Sequence, residues 1–254
     1  MISNDTLYVG VDPASGNKDF TYAALDESLN PVVLDDADME DMLAFLDREG
    51  AVVVAINAPA RVNCGLVKEK LEAESHKPGH AFRGIDIRLA EHELRERGIP
   101  VTGTPSREEY CPAWMRVGFT LYQKLSEIGF RSYGTDGANH QFLETHPYAC
   151  FCVLTDGSLF PKPTLEGRLQ RQLILNEKGL RITDAMNFFE EVTRFKLMRG
   201  ILPTGTLYIP EQLDALVAAY TAWLAACRPN EVIRIGDIKE GQIILPVREL
   251  QEKY

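Results

Sequence analysis

Thr6-Leu-Tyr-Val-Gly-Val-Asp12 is a short apolar run closed by an acid, and the turn-rich Pro13-Ala-Ser-Gly-Asn-Lys18 follows at once. An apolar run bounded by turn residues reads as a strand. Residues 19–26 alternate around Phe20, Tyr22 and Ala24, and after the turn at Ser28-Leu-Asn-Pro31 comes Val32-Val-Leu34. Three neighbouring strands on short connections make an antiparallel meander. Residues 39–49 carry Met42, Phe45 and Leu46 at helical spacing and stop at Gly50. Ala51-Val-Val-Val-Ala-Ile56 is then apolar throughout, as expected of a strand covered on both faces.

Further along, residues 58–82 are irregular and rich in Lys, Glu, His, Pro and Gly. Helices are expected over 85–97, with Leu89 and Leu94 inward, and over 112–128, with the stripe Trp114, Val117, Leu121 and Leu125. Gln141-Phe-Leu-Glu144 reads as a strand leading to Pro147, a residue suited to a first helical position. More helices are expected around 165–178 and 183–198. The strongest runs from Pro210 to Cys227, with Leu213, Leu216, Val217, Tyr220 and Leu224 in register, and a hairpin pairs 231–235 with 242–245. A meander, a crossover helix and a buried strand open an RNase H-like domain. The expectation is therefore one α/β domain over residues 1–254, a mixed five-stranded sheet flanked by helices. An irregular and helical insertion is expected at about 58–130.

Composition narrows the function classes. Of 254 residues, 45% are hydrophobic and 25% charged, ample for an ordinary globular core. No apolar run approaches the ~18 residues of a membrane span, and the polar start Met1 to Thr6 is no signal peptide. The five cysteines, Cys64, Cys111, Cys150, Cys152 and Cys227, are scattered without a C-x-x-C, pointing to reduced thiols in the cytoplasm. A net charge of −10 argues against broad, tight gripping of duplex phosphates, though not against brief action on a small or single-stranded substrate.

Carboxylates are the candidate chemistry. Asp12 ends the first strand, and ligands gather beyond the carboxyl ends of strands in open α/β sheets. Its plainer role is to start a turn. Glu211 and Asp214 lie three apart on one helix face, among Ala215, Ala218, Ala219, Ala222, Ala225 and Ala226, small enough for the helix to lie close on a sheet. Glu211 alone fits a first-turn acid favoured by the helix dipole. Asp214, flanked by Leu213, Leu216 and Val217, fits a solvated position less well. Glu144 ends another strand, where a rim ion pair is the plainer role. If Asp12, Glu144 and Asp214 converge, their repulsion calls for Mg²⁺ or Mn²⁺. Two such ions would activate a water and stabilise a leaving phosphodiester oxygen.

Seven motifs occur in a fixed order. They are Tyr8-Val-Gly-Val-Asp-Pro-Ala14, Ala55-Ile-Asn-Ala-Pro59, Arg88-x-x-Glu91 with Gly98, and Glu144-Thr-His-Pro147. Lys162-x-Thr164 with Gly167 and Arg171, Leu213-Asp-Ala-Leu-Val-Ala-Ala219, and Ile235-Gly-Asp237 with Ile244-Leu-Pro246 complete the set. As a set they resemble the family called domain of unknown function 429, described as RNase H-like nucleases near the Holliday-junction resolvase RuvC. The resemblance implies an RNase H-like fold and metal-dependent nuclease activity. Asp12 would be the first-strand ligand, Asp214 with Glu211 the acid pair on the last helix, and Glu144 the strand-end glutamate. One departure stands out: Ile56-Asn57-Ala58-Pro59 replaces the family's usual Ile-Asp-x-Pro. Asn57 keeps an acceptor oxygen and loses the charge. Either Glu144 supplies the missing acid, one metal suffices, or the chemistry is lost.

Lys162, Arg168 and Arg171 are candidates to clamp a substrate phosphate, with a solvated helix face as the plainer reading. His146 is placed for a proton shuttle or a metal, although a lone histidine is more often structural. His76 and His80 cannot share a helix across Pro78-Gly79, which discounts a zinc site, and Cys150 and Cys152 read as buried thiols. Three functions compete. The first is a metal-dependent nuclease meeting nucleic acid transiently. The second is a phosphotransferase or ATPase of the same superfold, using Asp12 to Gly16. The third is a catalytically inactive binding or assembly protein. No membrane partner is expected; the oligomeric state stays open, with a dimer among the options.

Overall fold

The apolar runs become the centre of a sheet. In the computed structural model, residues 6–13, 20–74, 86–155 and 157–254 are described. The turn after Asp12 from residue 14 to 19 and the pair His76 and His80 lie outside the described residues. Strands β1 (Leu7–Pro13), β2 (Phe20–Leu25) and β3 (Pro31–Ala37) form the expected antiparallel meander. Helix α1 (Met39–Arg48) starts at Asp38, whose side chain accepts from the Asp41 N–H. It carries the chain to β4 (Val52–Ile56), which pairs parallel with β1.

Three helices follow: α2 (Leu66–Glu74), α3 (Leu89–Glu96) and α4 (Ala113–Glu127). The chain then re-enters the sheet through the two-residue β5 (Arg131–Ser132) and β6 (His140–Glu144). Helices α5 (Pro147–Leu154), α6 (Leu165–Glu177), α7 (Asn187–Glu191), α8 (Arg194–Met198) and α9 (Pro210–Cys227) come next. The hairpin β7 (Ile233–Asp237) and β8 (Gly241–Leu245) finishes the sheet. Its order is β3-β2-β1-β4-β6-β8-β7, with β5 pairing β6.

Eight strands among the described residues exceed the five expected. The hairpin docks on β6 through a single bridge, Glu144 to Ile243, and β5 takes the opposite end of the same edge. The helix expected over 183–198 is two helices. Thr193 is extended, and its hydroxyl accepts from the Lys196 N–H, restarting the helix after a break at Val192. The stretch after residue 58 holds α2, whose first N–H groups are capped from far along the chain. The Glu240 carboxylate accepts from the N–H of Cys64 at 2.9 Å and of Leu66 at 3.1 Å, and from Leu89 at the head of α3 at 2.8 Å. No helix among the described residues is long and apolar enough to cross a membrane.

The sheet is covered on both faces. Leu7, Val9, Val11, Val52, Val54 and Ile56 pack toward α1 and α4, while Tyr8, Val53 and Ala55 face the other layer, built on α9. One position sets how near α9 lies. A Cβ on Gly10 would come within 2.0 Å of the Ala215 carbonyl and 2.3 Å of the Ala219 nitrogen, so helix backbone rests directly on β1. Asp12, two residues on, points to the same face as Gly10, and Asp214 sits on α9 just before the Ala215 contact.

Candidate functional site

The parallel strands β1, β4 and β6 end together. Val11 pairs with Ile56, and Ile56 with Glu144. The Asn57 N–H donates to the Val11 carbonyl at 2.9 Å and the Thr145 N–H to that of Ile56 at 3.0 Å, extending the alignment one residue past each strand. Asp12, Asn57 and Glu144 therefore gather at one rim, and α9 brings Asp214 to it from above. Between them opens a cavity of about 250 Å³, walled in part by Asp12, Asn57, Glu144, Lys162 and Asp214, with Trp114 among its apolar residues.

Electrostatics divides the acids into two groups. Asp12 is buried, and its carboxyl is pushed up to about 7. Loss of solvation contributes most, followed by the Asp214 charge, while the Asn57 hydrogen bond and Lys162 oppose the rise. The Asn57 side-chain amide donates to Asp12 Oδ1 at 2.6 Å, so its nitrogen faces the acid and Asn57 acts as a holder of Asp12. Asp214 is buried and takes a hydrogen-bonded ion pair from Lys162 Nζ. Burial raises the Asp214 carboxyl in spite of that ammonium. For Lys162, burial favours the neutral amine, but Asp214, Asp12 and Glu211 together outweigh it and raise its pKa. One lysine thus serves as counter-ion to an acid cluster drawn from both ends of the chain.

Glu144, expected as a third metal ligand, instead has both oxygens committed elsewhere. Arg88 Nη2 donates to Oε1 at 2.5 Å, Arg88 Nη1 to Oε2 at 3.0 Å, and the Ala60 N–H to Oε2 at 2.8 Å. Both side chains are buried. A bidentate arginine is the strongest partner a carboxylate finds in a protein interior, and it leaves little reason to accept a second cation. Arg88 also reaches Glu91 Oε1 through Nε at 2.8 Å, and Thr104 donates its N–H to Glu91 Oε2 at 2.8 Å, which closes the network. Glu144 and Glu91 outweigh the burial of Arg88 and raise its pKa.

Of the remaining expected residues, Glu211, Arg168 and Arg171 do not line the cavity, and His146 does. Glu211 acts on Asp12, Asp214 and Lys162 only through space, from the first turn of α9. Arg168 donates to the carbonyls of Tyr208 and Leu207 at 2.8 and 2.6 Å, which fixes the approach to α9. Arg171 is buried, bonds the Phe160 and Gly167 carbonyls at 3.0 Å each and lies over the Phe151 ring, so it anchors α6. His146 lines the cavity, but its Nδ1 accepts from the Ala149 N–H at 3.2 Å as the cap of α5. Enclosure pushes His146 down to about 4, which keeps it neutral. Burial pushes the thiols of Cys150 and Cys152 up to about 11, making them poor nucleophiles.

Arg88, Glu91 and Glu240 were not singled out as site residues. Arg88-x-x-Glu91 is one of the seven motifs, but its i, i+3 spacing looks the same on a solvated helix, and Glu240 lies in none of them. Among the described residues no group of three or more His, Cys, Asp or Glu is arranged to hold a metal. With Glu91 and Glu144 committed to Arg88, Asp12 and Asp214 are the cavity carboxylates left for a cation. Two carboxylates fit a single hard divalent ion, because Mg²⁺ commonly takes one or two and fills its shell with water and substrate oxygens. They do not fit a pair of ions.

The family described as Protein of unknown function (DUF429) matches residues 10–237. This chain belongs to that family. The DUF429 region begins at Gly10, the seat of α9, and ends in β7. The matched stretch takes in Asp12, Asn57, Arg88, Glu144, Lys162 and Asp214. No curated protein and no solved structure matches the chain.

Proposed function

We propose that this DUF429 chain is a metal-dependent phosphodiester hydrolase with an RNase H-like arrangement, working with one divalent cation at Asp12 and Asp214. The observation that carries this reading is the cluster itself: two buried carboxylates beside each other on a cavity at the carboxyl ends of parallel strands, balanced by one ammonium. Burying like charges is costly, and an arrangement that keeps them together is typical of sites that bind a cation or move a proton. The meander, the crossover helix α1 and the acid-bearing α9 support the RNase H-like reading at the level of topology.

When bound, the ion supplies Lewis acidity and offsets the charge of a phosphate. The chain's own residues do the rest. Asn57 fixes the Asp12 carboxylate through Oδ1. Lys162, with a side chain 37% exposed, is positioned to leave Asp214 for a phosphate oxygen as the substrate enters. The Arg88–Glu144 pair holds the back wall rigid, and Trp114 with Met115 gives the cavity an apolar side that limits water. Neutral His146 completes the wall without adding charge.

Mn²⁺ titration followed by thermal denaturation, together with turnover of bis(p-nitrophenyl) phosphate, tests the proposal. Mn²⁺ should stabilise the wild type and support diester cleavage, and Asp12→Asn should lose both. Cleavage that survives Asp12→Asn rejects the mechanism. A second reading is favoured by the Lys162–Asp214 contact and by Asn57: the ammonium permanently fills the cation position, and the scaffold binds without catalysis. Absence of any Mn²⁺ effect on stability or turnover selects that reading.

A further inference from the structure

A second concavity, of about 590 Å³, lies against the far side of Glu144. It exists because the sheet opens there. Ladder pairing of β8 with β6 is limited to the Glu144–Ile243 bridge, and β5 pairs only Gln141 and Phe142. The floor and walls of the gap are aromatic: Phe119 and Tyr122 come from α4, Phe142 from β6, and Tyr133 follows β5. Tyr122 and Phe142 meet edge to face with centroids 5.3 Å apart. The Tyr133 hydroxyl donates to the Ala225 carbonyl at 2.5 Å, which locks its ring, and the Arg234 guanidinium lies over that ring at 4.7 Å. Arg61 lines the opposite side. Arg61 and Arg234 are exposed, and neither forms an ion pair within the described residues. Although the chain carries a net charge of −10, these two exposed arginines give the aromatic groove a positive rim that suits an anion.

We infer that this groove binds single-stranded nucleic acid, with bases against the Phe119, Phe142 and Arg234–Tyr133 surfaces and phosphates on Arg61 and Arg234. Rings and guanidinium planes accept any unpaired base by stacking, while a cationic rim follows the backbone. Gln123, Gln242, Ser126 and Ser132 on the walls offer hydrogen bonds to base edges. Duplex fits poorly: its bases are already stacked on each other, and its denser phosphates would face a largely acidic protein. The groove ends at Glu144, whose carboxylate also borders the acid cavity, so a strand seated in it leads toward Asp12. That last step rests on the hydrolase reading; the binding site does not.

The test is fluorescence anisotropy of a labelled 12-mer oligothymidylate on the full chain in EDTA, which suppresses metal-dependent cleavage, over a series of salt concentrations. Same-length duplex and thymidine monophosphate serve as competitors. The single strand should bind, duplex and mononucleotide should compete at least tenfold less well, and Arg61→Gln with Arg234→Gln should weaken binding at least tenfold. The double variant should also flatten the log–log salt dependence by about 1.4, from ~0.7 per phosphate contact on single strands. The corresponding double lysine variant should recover most of the affinity, and the melting temperature of both should match the wild type. Absent binding, or binding unchanged in the glutamine variant, overturns the inference. Equal binding of duplex or of the mononucleotide overturns the single-strand assignment. Cleavage of bis(p-nitrophenyl) phosphate reads the hydrolase site separately. It should need Asp12 and be indifferent to Arg61 and Arg234, so either proposal can fall while the other stands.

Discussion

Replacing Asp12 with asparagine should make the metal-free protein more stable above neutral pH, and the gain should vanish in acid. The carboxyl is pushed from its ordinary 3.8 to about 7, chiefly by burial and then by Asp214. Between those values the native chain keeps a proton that the unfolded chain has released. Stability therefore falls as pH climbs through that window and levels off beyond it. At about 1.4 kcal/mol for each tenfold in proton affinity, the ceiling is about 4 kcal/mol. Sharing of charge with the Asp214–Lys162 pair brings the expected gain to about 2 kcal/mol. Asparagine keeps the oxygen that accepts from Asn57 and occupies the same volume, so no cavity or lost hydrogen bond confuses the comparison. The assay is urea denaturation of both proteins in EDTA at intervals from pH 4 to pH 9. The gap should be near zero at pH 4, open toward pH 7 and stay flat above it. A variant weaker than the wild type at pH 8, or a gap independent of pH, would show that the acid is not held at a cost in the fold.

Four further outcomes follow from the same geometry. Glu144→Ala should cost about 3–5 kcal/mol in denaturant melts, because the buried Arg88 guanidinium loses its bidentate partner and keeps Glu91 as its one carboxylate; replacing Arg88 and Glu144 by methionine together with Glu91→Gln should cost less. Gly10→Ala should lower stability by about 3 kcal/mol or more, since its methyl meets the backbone of α9 rather than movable side chains; it should also blunt any Mn²⁺-induced rise in melting temperature by lifting Asp214 from Asp12. Glu240→Gln should cost about 1–3 kcal/mol at pH 7. Burial opposes the charge of Glu240, but its N–H donors hold the carboxyl below the ordinary 4.5, so wild type and variant should converge as the pH drops below that value. Lys162→Gln should tighten Mn²⁺ binding in a calorimetric titration, by freeing Asp214, while lowering turnover of a phosphodiester.

The parts that could be read from the sequence are those set by neighbours along the chain. Alternation and apolar runs locate β1, β2, β4 and β6, and the alanines of α9 announce a helix pressed against a sheet. That helix indeed sits on Gly10, and this closeness makes Asp12 and Asp214 neighbours. What could not be read depends on distant partners. Glu144 has the same look whether it waits for a metal or for Arg88, since the choice is made by a guanidinium 56 residues earlier. Helix α2 has weak amphipathy of its own and is held by Glu240 from the far end of the chain. The break at Val192–Thr193 rests on one hydroxyl competing with the helical ladder, and β5 is too short to carry a period.

The seat of α9 on β1 also has a consequence during synthesis. The strands β1, β2 and β4 leave the ribosome well before α9, the helix that packs across one side of them. Until then Tyr8, Ala23, Val53 and Ala55 lack that cover, and a nascent chain that stops short of Pro210 presents a bare apolar sheet. Truncation ahead of Pro210 should therefore yield aggregates rather than a smaller folded protein. The electrostatic burden of pairing Asp12 with Asp214 arises only at the final docking step, when enough burial has accumulated to carry it.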